Sequence, residues 1–275
     1  MTLPLIAIIG TGHMGESLLS GLIASGHPPD HIITSDPNPD RLSEVHERFG
    51  VLTTIHNHEA ILQASVILFA VKPQQLEQAL QSEKDTILAK QPLVISIAAG
   101  IRESTIRSWL GNTISIVRAM PNMPAVIQTG ITALYANERV SQDERSLAES
   151  VLRAVGVTVW VDHEELMDVV TALSGSGPAY FFYMMDALQQ AGMALGLKED
   201  IARLLTIQTA FGAARMVLES DESLQTLREK VTSKGGTTEQ AINVFEKANL
   251  RGIFKDAVFA ATKRSKELAE MLGES

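Results

Sequence analysis

The first residues with a recognisable chemical spacing are Gly10-Thr11-Gly12-His13-Met14-Gly15, which follow the apolar run Leu5–Ile9 and open a helical pattern. Glycines so spaced permit a tight turn at Gly10, close backbone approach of a pyrophosphate at Gly12, and close helix–strand packing at Gly15. Asp36 closes a second strand pattern, 21 residues past Gly15. An acidic group there can accept a hydrogen bond from a ribose 2′-hydroxyl, which favours NAD(H). It can equally cap the helix that follows, and both readings stand. No Lys or Arg precedes Arg41, so a phosphate at this loop must rest on backbone N–H groups and a helix N-terminus. A 2′-phosphate would be repelled by Asp36 and would need a cation such as Arg41.

Further candidates sit where strand patterns end. Val71-Lys72-Pro73 closes the run Val66–Val71, and Ala98-Ala99-Gly100 follows Leu93–Ile97. Ligands of doubly wound folds lie at the carboxyl ends of strands, and small residues there leave room for a ribose or nicotinamide. Ser174-Gly175-Ser176-Gly177-Pro178 interrupts a helical pattern between Leu166 and Leu195. Two glycines cost about 1 kcal/mol each in a helix interior, while Pro178 suits a first helical position. The block is a helix junction or a place of close approach. Gly235-Gly236-Thr237-Thr238 precedes the helical stretch Glu239–Lys247. Its N–H groups suit a carboxylate, and its threonines also read as an ordinary N-cap. His56 and His58 alternate as on one strand face, but no third ligand accompanies them, so no metal site is expected. The chain has no cysteine, which excludes disulfides, thiolate nucleophiles and Cys-based metal sites.

The elements that must position these residues fall into two sets. Runs at Leu5–Ile9, His31–Ser35, Val66–Val71, Leu93–Ile97, Ile114–Arg118, Ile131–Tyr135 and Val157–Val161 read as strands. Several are continuously apolar, as strands buried on both faces of a parallel sheet are. Helical stretches at Met14–Ser25, Asn38–Phe49, Gln74–Ala89 and Ser104–Leu110 lie between them, so an α/β, doubly wound Rossmann-type domain is expected over residues 1–161. From 162 to 275 strand signals stop. Broad apolar faces at 187–195, 201–218 and 252–272 predict an all-helical second domain with surface left to cover.

Composition narrows the function. At 275 residues, 45% hydrophobic and 20% charged, the chain can bury a core and disorder is not expected. A net charge of −9 counts against a nucleic-acid partner. Nothing approaches the roughly 18 consecutive apolar residues of a membrane span, and the N-terminal apolar run lacks the cationic start of a signal peptide. A cytoplasmic location is expected.

In chain order, the glycine loop, Asn57, Val71-Lys72-Pro73, Met120-Pro121-Asn122, Ser174 through Tyr180 and Val231 through Thr238 resemble the Δ1-pyrroline-5-carboxylate reductases, the last enzymes of proline synthesis. The resemblance covers essentially the whole chain, and the last two blocks are its most specific parts. It implies a Rossmann domain followed by an all-α dimerisation domain of the 6-phosphogluconate-dehydrogenase-like kind, an interlocked homodimer and further assembly into a decamer. It implies reduction of 1-pyrroline-5-carboxylate to L-proline with NADPH or NADH. Cofactor positions carried over are Gly10, Thr11, Gly12, His13, Met14, Gly15, Asn57, Val71, Lys72, Pro73, Ala98, Ala99 and Gly100, beside Asp36 as read from its spacing. Substrate positions are Glu164, Ser174, Gly175 and Gly177, with Gly235, Gly236 and Thr237 from the partner subunit; Thr238 and Ser176 are the catalytic candidates. Two departures stand out. Lys234 replaces the usual proline before the paired glycines, which loosens that turn and adds a cation. Pro37 stands where NADPH-preferring relatives often carry arginine.

A β-hydroxyacid dehydrogenase, similar in architecture, would need a lysine on the first helix after the Rossmann domain to polarise a carbonyl. Ala154 to Leu197 contains no Lys or Arg, and a protonated imine needs none. A non-catalytic dinucleotide sensor is the other rival; the second-domain blocks argue against it.

Overall fold

In the computed structural model, which describes residues 3–273, eight strands make one sheet. They are β1 (Ile6–Ile9), β2 (Ile32–Ser35), β3 (Leu52–Thr54), β4 (Val66–Phe69), β5 (Leu93–Ser96), β6 (Ile116–Met120), β7 (Gly130–Ala136) and β8 (Gly156–Trp160). Their spatial order is 3-2-1-4-5-6-7-8, with every neighbouring pair parallel except β6–β7. Only the short 3₁₀ turn Met123–Ile127 joins β6 to β7, too little chain for a parallel crossover, so the strand returns antiparallel. The helix Gln142–Arg153 then carries β8 back to parallel.

Alternation along the strands fills two cores. Ile6 and Ile8 face Leu18, Leu19, Leu22 and Leu152. Ala7 and Ile9 face Ile61, Leu76 and Ile106 across the sheet. This two-sided burial is what the continuously apolar runs anticipated. β3 escaped the sequence reading because Leu52-Thr53-Thr54 is a three-residue, largely polar edge strand. The single helix expected over Gln74–Ala89 is two, Pro73–Gln81 and Lys84–Lys90. Asp36 does not cap the next helix. Asn38 does, its Oδ1 accepting from the N–H groups of Asp40 and Arg41 ahead of the helix Pro39–Phe49.

The sheet ends at Trp160, beside the expected boundary at 161. By packing, the first compact unit continues to Ser176 and takes up the chain again from Ala261. Met167 and Ala172 are buried, Ser265 Oγ donates to Asp168 Oδ1 at 2.7 Å, and Leu272 packs on the Ile61–Ile106 core. These contacts tie the segment after β8, and the end of the helix Leu250–Gly273, to the sheet.

The second unit, Gly177–Ala260, is helical throughout its regular structure. The helices Gly177–Ala194 and Glu199–Leu218 bury only Gly177 and Ala202 among their described residues. Phe181, Phe182, Tyr183, Leu204, Phe211 and Leu218 are all exposed. Glu199–Leu218 is by length and composition apolar enough to cross a membrane, which runs against the expectation of no such segment. Charged residues interrupt it at Arg203 and Arg215, so the consecutive-run criterion passed it over.

Candidate active site

A cleft of about 740 Å³ opens at the carboxyl ends of β1 and β4. Strand order reverses between these strands, the place where doubly wound sheets bind ligands. The glycine loop forms one wall. Gly10 has φ +100°, and a Cβ there would sit 2.9 Å from the carbonyl oxygen of Ala70. A Cβ on Gly15 would lie 2.2 Å from the Gly10 oxygen, so the helix His13–Ala24 can meet the loop only without a side chain. A Cβ on Gly12 would meet nothing within 4 Å. The protein's own packing therefore does not require glycine there, but a ligand pressed against the backbone would. The loop backbone, the start of the helix His13–Ala24 and an open cleft of this size fit the pyrophosphate and adenosine of a dinucleotide.

Asp36 organises the loop. Its Oδ2 accepts from Thr11 N at 2.9 Å and from Thr11 Oγ1 at 2.7 Å, and its Oδ1 accepts from Asn38 N at 3.0 Å. Ser35 Oγ donates to Asn57 Oδ1 at 2.7 Å, fixing Asn57 on the far wall. Arg41 is engaged elsewhere: its Nε donates to the Thr11 carbonyl at 3.1 Å, one terminal nitrogen to Glu44 Oε2 at 3.1 Å, and the other to Glu16. Hydrogen bonding to Glu44, with a smaller contribution from Glu16, raises its pKa above the ordinary arginine value despite desolvation. Arg48 shares the Glu16 carboxylate.

Of the sequence candidates, Gly10, Gly12, Asp36, Asn57, Val71 and Lys72 line this cleft. Thr11 is bonded behind it, His13 is exposed, Met14 packs on the core, and Pro73 is the first residue of its helix. Ala98, Ala99 and Gly100 are not among the cleft walls. Ala98 is buried, and Gly100, at φ +79°, faces Leu272. His56 and His58 line the cleft but share no strand face. They flank Asn57 at the start of the helix Asn57–Gln63, and His58 Nδ1 lies 3.0 Å from Glu83 Oε2. No cluster of three or more His, Asp or Glu suited to a metal occurs among the described residues. Sequence reasoning missed Gln75 and Gln78, cleft residues whose helical spacing carries no chemical signature.

Glu164 carries a different set of partners. Its Oε1 accepts from the Glu103 N–H at 2.5 Å and pairs with Arg118, which is largely buried on β6. Burial, reinforced by Glu164 and Glu103, pushes the neighbouring Tyr135 phenol above its usual pKa. Beyond Glu164 the chain runs through the helix Leu166–Val170 into one π-helical turn, Thr171–Gly175, where Ser176 N donates to Thr171 O at 2.8 Å. Such i→i+5 turns are rare and concentrate at functional sites. This one coincides with the Ser174–Gly177 block.

In the second unit Gly236 is the N-cap of the helix Thr237–Lys247, at φ −82° and ψ 172°. Thr237 and Thr238 are therefore its first two residues, and the cap reading of either threonine is overturned. Gly235 N donates to Glu239 Oε2 at 2.8 Å, bending the chain back over the first turn. Lys234 and Thr237 are exposed and Thr238 half-buried.

A 3-2-1-4-5-6 sheet core with a glycine loop at its switch point defines a dinucleotide-binding oxidoreductase architecture. Residues 5–100 match the family described as NADP oxidoreductase, coenzyme F420-dependent, and residues 164–268 match pyrroline-5-carboxylate reductase dimerisation. The chain is 43% identical to a pyrroline-5-carboxylate reductase of Pseudomonas aeruginosa over 274 residues, covering all of both chains. It is 41% identical to that of Haemophilus influenzae, covering 96% of this chain and 97% of the relative. Among solved structures it is similar to the reductase of Coxiella burnetii (TM-score 0.94, 47% identity, 96% and 98% of the two chains). It is also similar to the Plasmodium falciparum enzyme with NADP bound (TM-score 0.85, 27% identity, 98% and 99%). The chain belongs to the pyrroline-5-carboxylate reductase family.

Proposed function

We propose that the protein reduces 1-pyrroline-5-carboxylate to L-proline with NADPH or NADH. The full-length similarity to reductases of that name carries this reading, and the open face of Gly12 above the cleft supports the cofactor half of it. The glycine-loop N–H groups would hold the pyrophosphate, with Asn57, Val71 and Lys72 along the dinucleotide and Pro73 setting the turn behind them. Ala98–Gly100 belong to the proposed cofactor set through the carboxyl end of β5. When bound, the nicotinamide supplies the hydride that adds to the imine carbon as the C=N electron pair moves onto nitrogen.

What remains for the chain is placement. A protonated imine is already a strong electrophile, so the site must bind the carboxylate, aim the ring and exclude water. The first-turn N–H groups of Thr237–Lys247 are suited to the carboxylate, with Gly235 and Gly236 shaping the turn that leads into them, their own N–H groups bonded to Glu239 and Ser233. The Thr238 hydroxyl, not consumed as a cap, hydrogen-bonds the ring nitrogen. Ser174, Gly175, Ser176 and Gly177 form the small-residue wall against the ring, and Glu164, held by Arg118 and the Glu103 N–H, belongs to the same proposed substrate set. The Gly235–Thr238 loop serving one site comes from the partner subunit. The exposed apolar helices of the second unit, and the uncovered residues Ile131, Val157 and Val159 on β7 and β8, support a homodimer; a decamer assembled from dimers and a cytoplasmic location complete the proposal.

The test follows reduced-nicotinamide absorbance with 1-pyrroline-5-carboxylate beside a panel of 2- and 3-hydroxy acids. Oxidation of the cofactor with the imine alone is expected. Turnover of a hydroxy acid instead, or of nothing, would remove the assignment.

A further inference from the structure

We propose that Asn122 is a positioning residue that supplies the hydrogen-bond donor which Pro178 withholds from the Ser174–Gly177 turn. In an uninterrupted helix the carbonyl of Ser174 would accept from the N–H of residue 178. That residue is proline and has no N–H. The Ser174 carbonyl thus loses its i+4 donor, and a side-chain donor from another segment compensates that loss.

It comes from the end of β6. Asn122 Nδ2 donates to Ser174 O at 3.3 Å, and Asn122 Oδ1 accepts from the Ile131 N–H of β7 at 3.0 Å. The two partners fix the amide's orientation, since one offers a carbonyl and the other an N–H. The same strand end makes a second contact. Met120 Cε lies 2.7 Å from where a Cβ on Gly175 would sit. Met120 therefore occupies the space Gly175 vacates, while Asn122 holds the carbonyl beside it. The turn, widened by the Ser176-to-Thr171 bond, is thus gripped at two consecutive residues by the last residue of β6 and the N-cap residue of the following 3₁₀ turn. Asn122 acts through the turn and has no direct part in the chemistry. The inference rests on the reductase reading, in which this turn borders the substrate.

The experiment compares wild type, Asn122→Ala, Asn122→Asp, Pro178→Ala and the Asn122→Ala/Pro178→Ala double variant. Each is assayed for kcat and KM with 1-pyrroline-5-carboxylate, NADPH Kd by cofactor fluorescence, and hydrogen exchange over residues 170–180. Asn122→Ala should lower kcat about 10-fold, the equivalent of one hydrogen bond, with NADPH Kd within about 2-fold of wild type and faster exchange in the turn. In the Pro178→Ala background, where residue 178 regains its N–H, the same substitution should cost less than about 2-fold and leave exchange slow. An Asn122 that matters only for holding Ile131 would cost the same in both backgrounds, which would overturn the proposal. Asn122→Asp needs no change at Pro178: it keeps the acceptor for Ile131 and sets a carboxylate against the Ser174 carbonyl. Wild-type kcat in that variant would also overturn the proposal. A wild-type enzyme inactive on the imine would instead sink the reductase reading, whereas an active wild type with unaffected Asn122 variants sinks the role of Asn122 alone.

Discussion

At the scale of single residues, the candidate site side chains are sorted by what already occupies them. Asp36 has both oxygens committed to Thr11 and Asn38, yet it lines the cleft. The cleft walls hold Lys72 against Asp36, Glu59 and Glu83, a balance that disfavours an extra phosphate. NADH should therefore be used appreciably, with NADPH preferred by less than about a thousandfold in kcat/KM. Asp36→Asn, which preserves an acceptor for Thr11, should shift the ratio toward NADPH by about tenfold. An unchanged ratio would remove Asp36 from cofactor selection. Thr238 is the complementary case, because the Gly236 cap leaves its hydroxyl free of that duty. Thr238→Ala should lower kcat by roughly 10- to 150-fold, the loss of one hydrogen bond to a charged group, with the melting midpoint nearly unchanged. Normal turnover would strike Thr238 from the catalytic set.

At the scale of elements, the loop between β1 and its helix separates glycines that the packing requires, Gly10 and Gly15, from Gly12, which it does not. Gly15→Ala drives a methyl into the Gly10 carbonyl, a backbone collision that no rotamer relieves. A stability loss of about 2 kcal/mol or more is expected, read as a fall of several degrees in midpoint. Gly12 has φ −64° and open space around it, so Gly12→Ala should leave the midpoint in place while weakening NADH and NADPH binding about 10-fold or more. Isothermal titration and thermal denaturation on the two variants check the contrast. Equal effects on both measurements would mean that no ligand approaches Gly12. The π turn is the helical counterpart: Pro178 withholds one donor from the Ser174 carbonyl, and Asn122, just past β6, supplies another.

At the scale of the whole molecule, two compact units carry very different amounts of core. The sheet unit buries apolar residues on both faces, while the helices of the second leave aromatic and aliphatic side chains in water. An exposed apolar surface of that extent marks an interface, and a two-fold exchange of helices would cover it. Sedimentation velocity at low micromolar concentration should show a dimer or a larger even-numbered assembly. A stable monomer with full activity would contradict both the interface and the shared site. The long helix Glu199–Leu218 is apolar enough by length and composition to cross a membrane, a composition that burial against a second copy would equally require.

The amino-acid pattern alone determined the alternation of buried strands and helices, the glycine loop with its acidic partner, the end of the sheet near 161, and the family. Each is a local signal: a run of apolar residues, a spacing of glycines, or a block of fixed order. Only the tertiary structure decided what Asp36 bonds, that Asn38 and not Asp36 caps the next helix, that Gly100 faces Leu272, and that Glu164 is paired with Arg118. It also placed β3, whose three residues gain their order from pairing with β2. The missing donor at Pro178 is legible in sequence, since proline lacks an N–H wherever it stands. Its replacement by Asn122, 52 residues upstream of Ser174, is not, because hydrogen-bond partners so far apart in sequence are chosen by how the sheet and the turn meet in space.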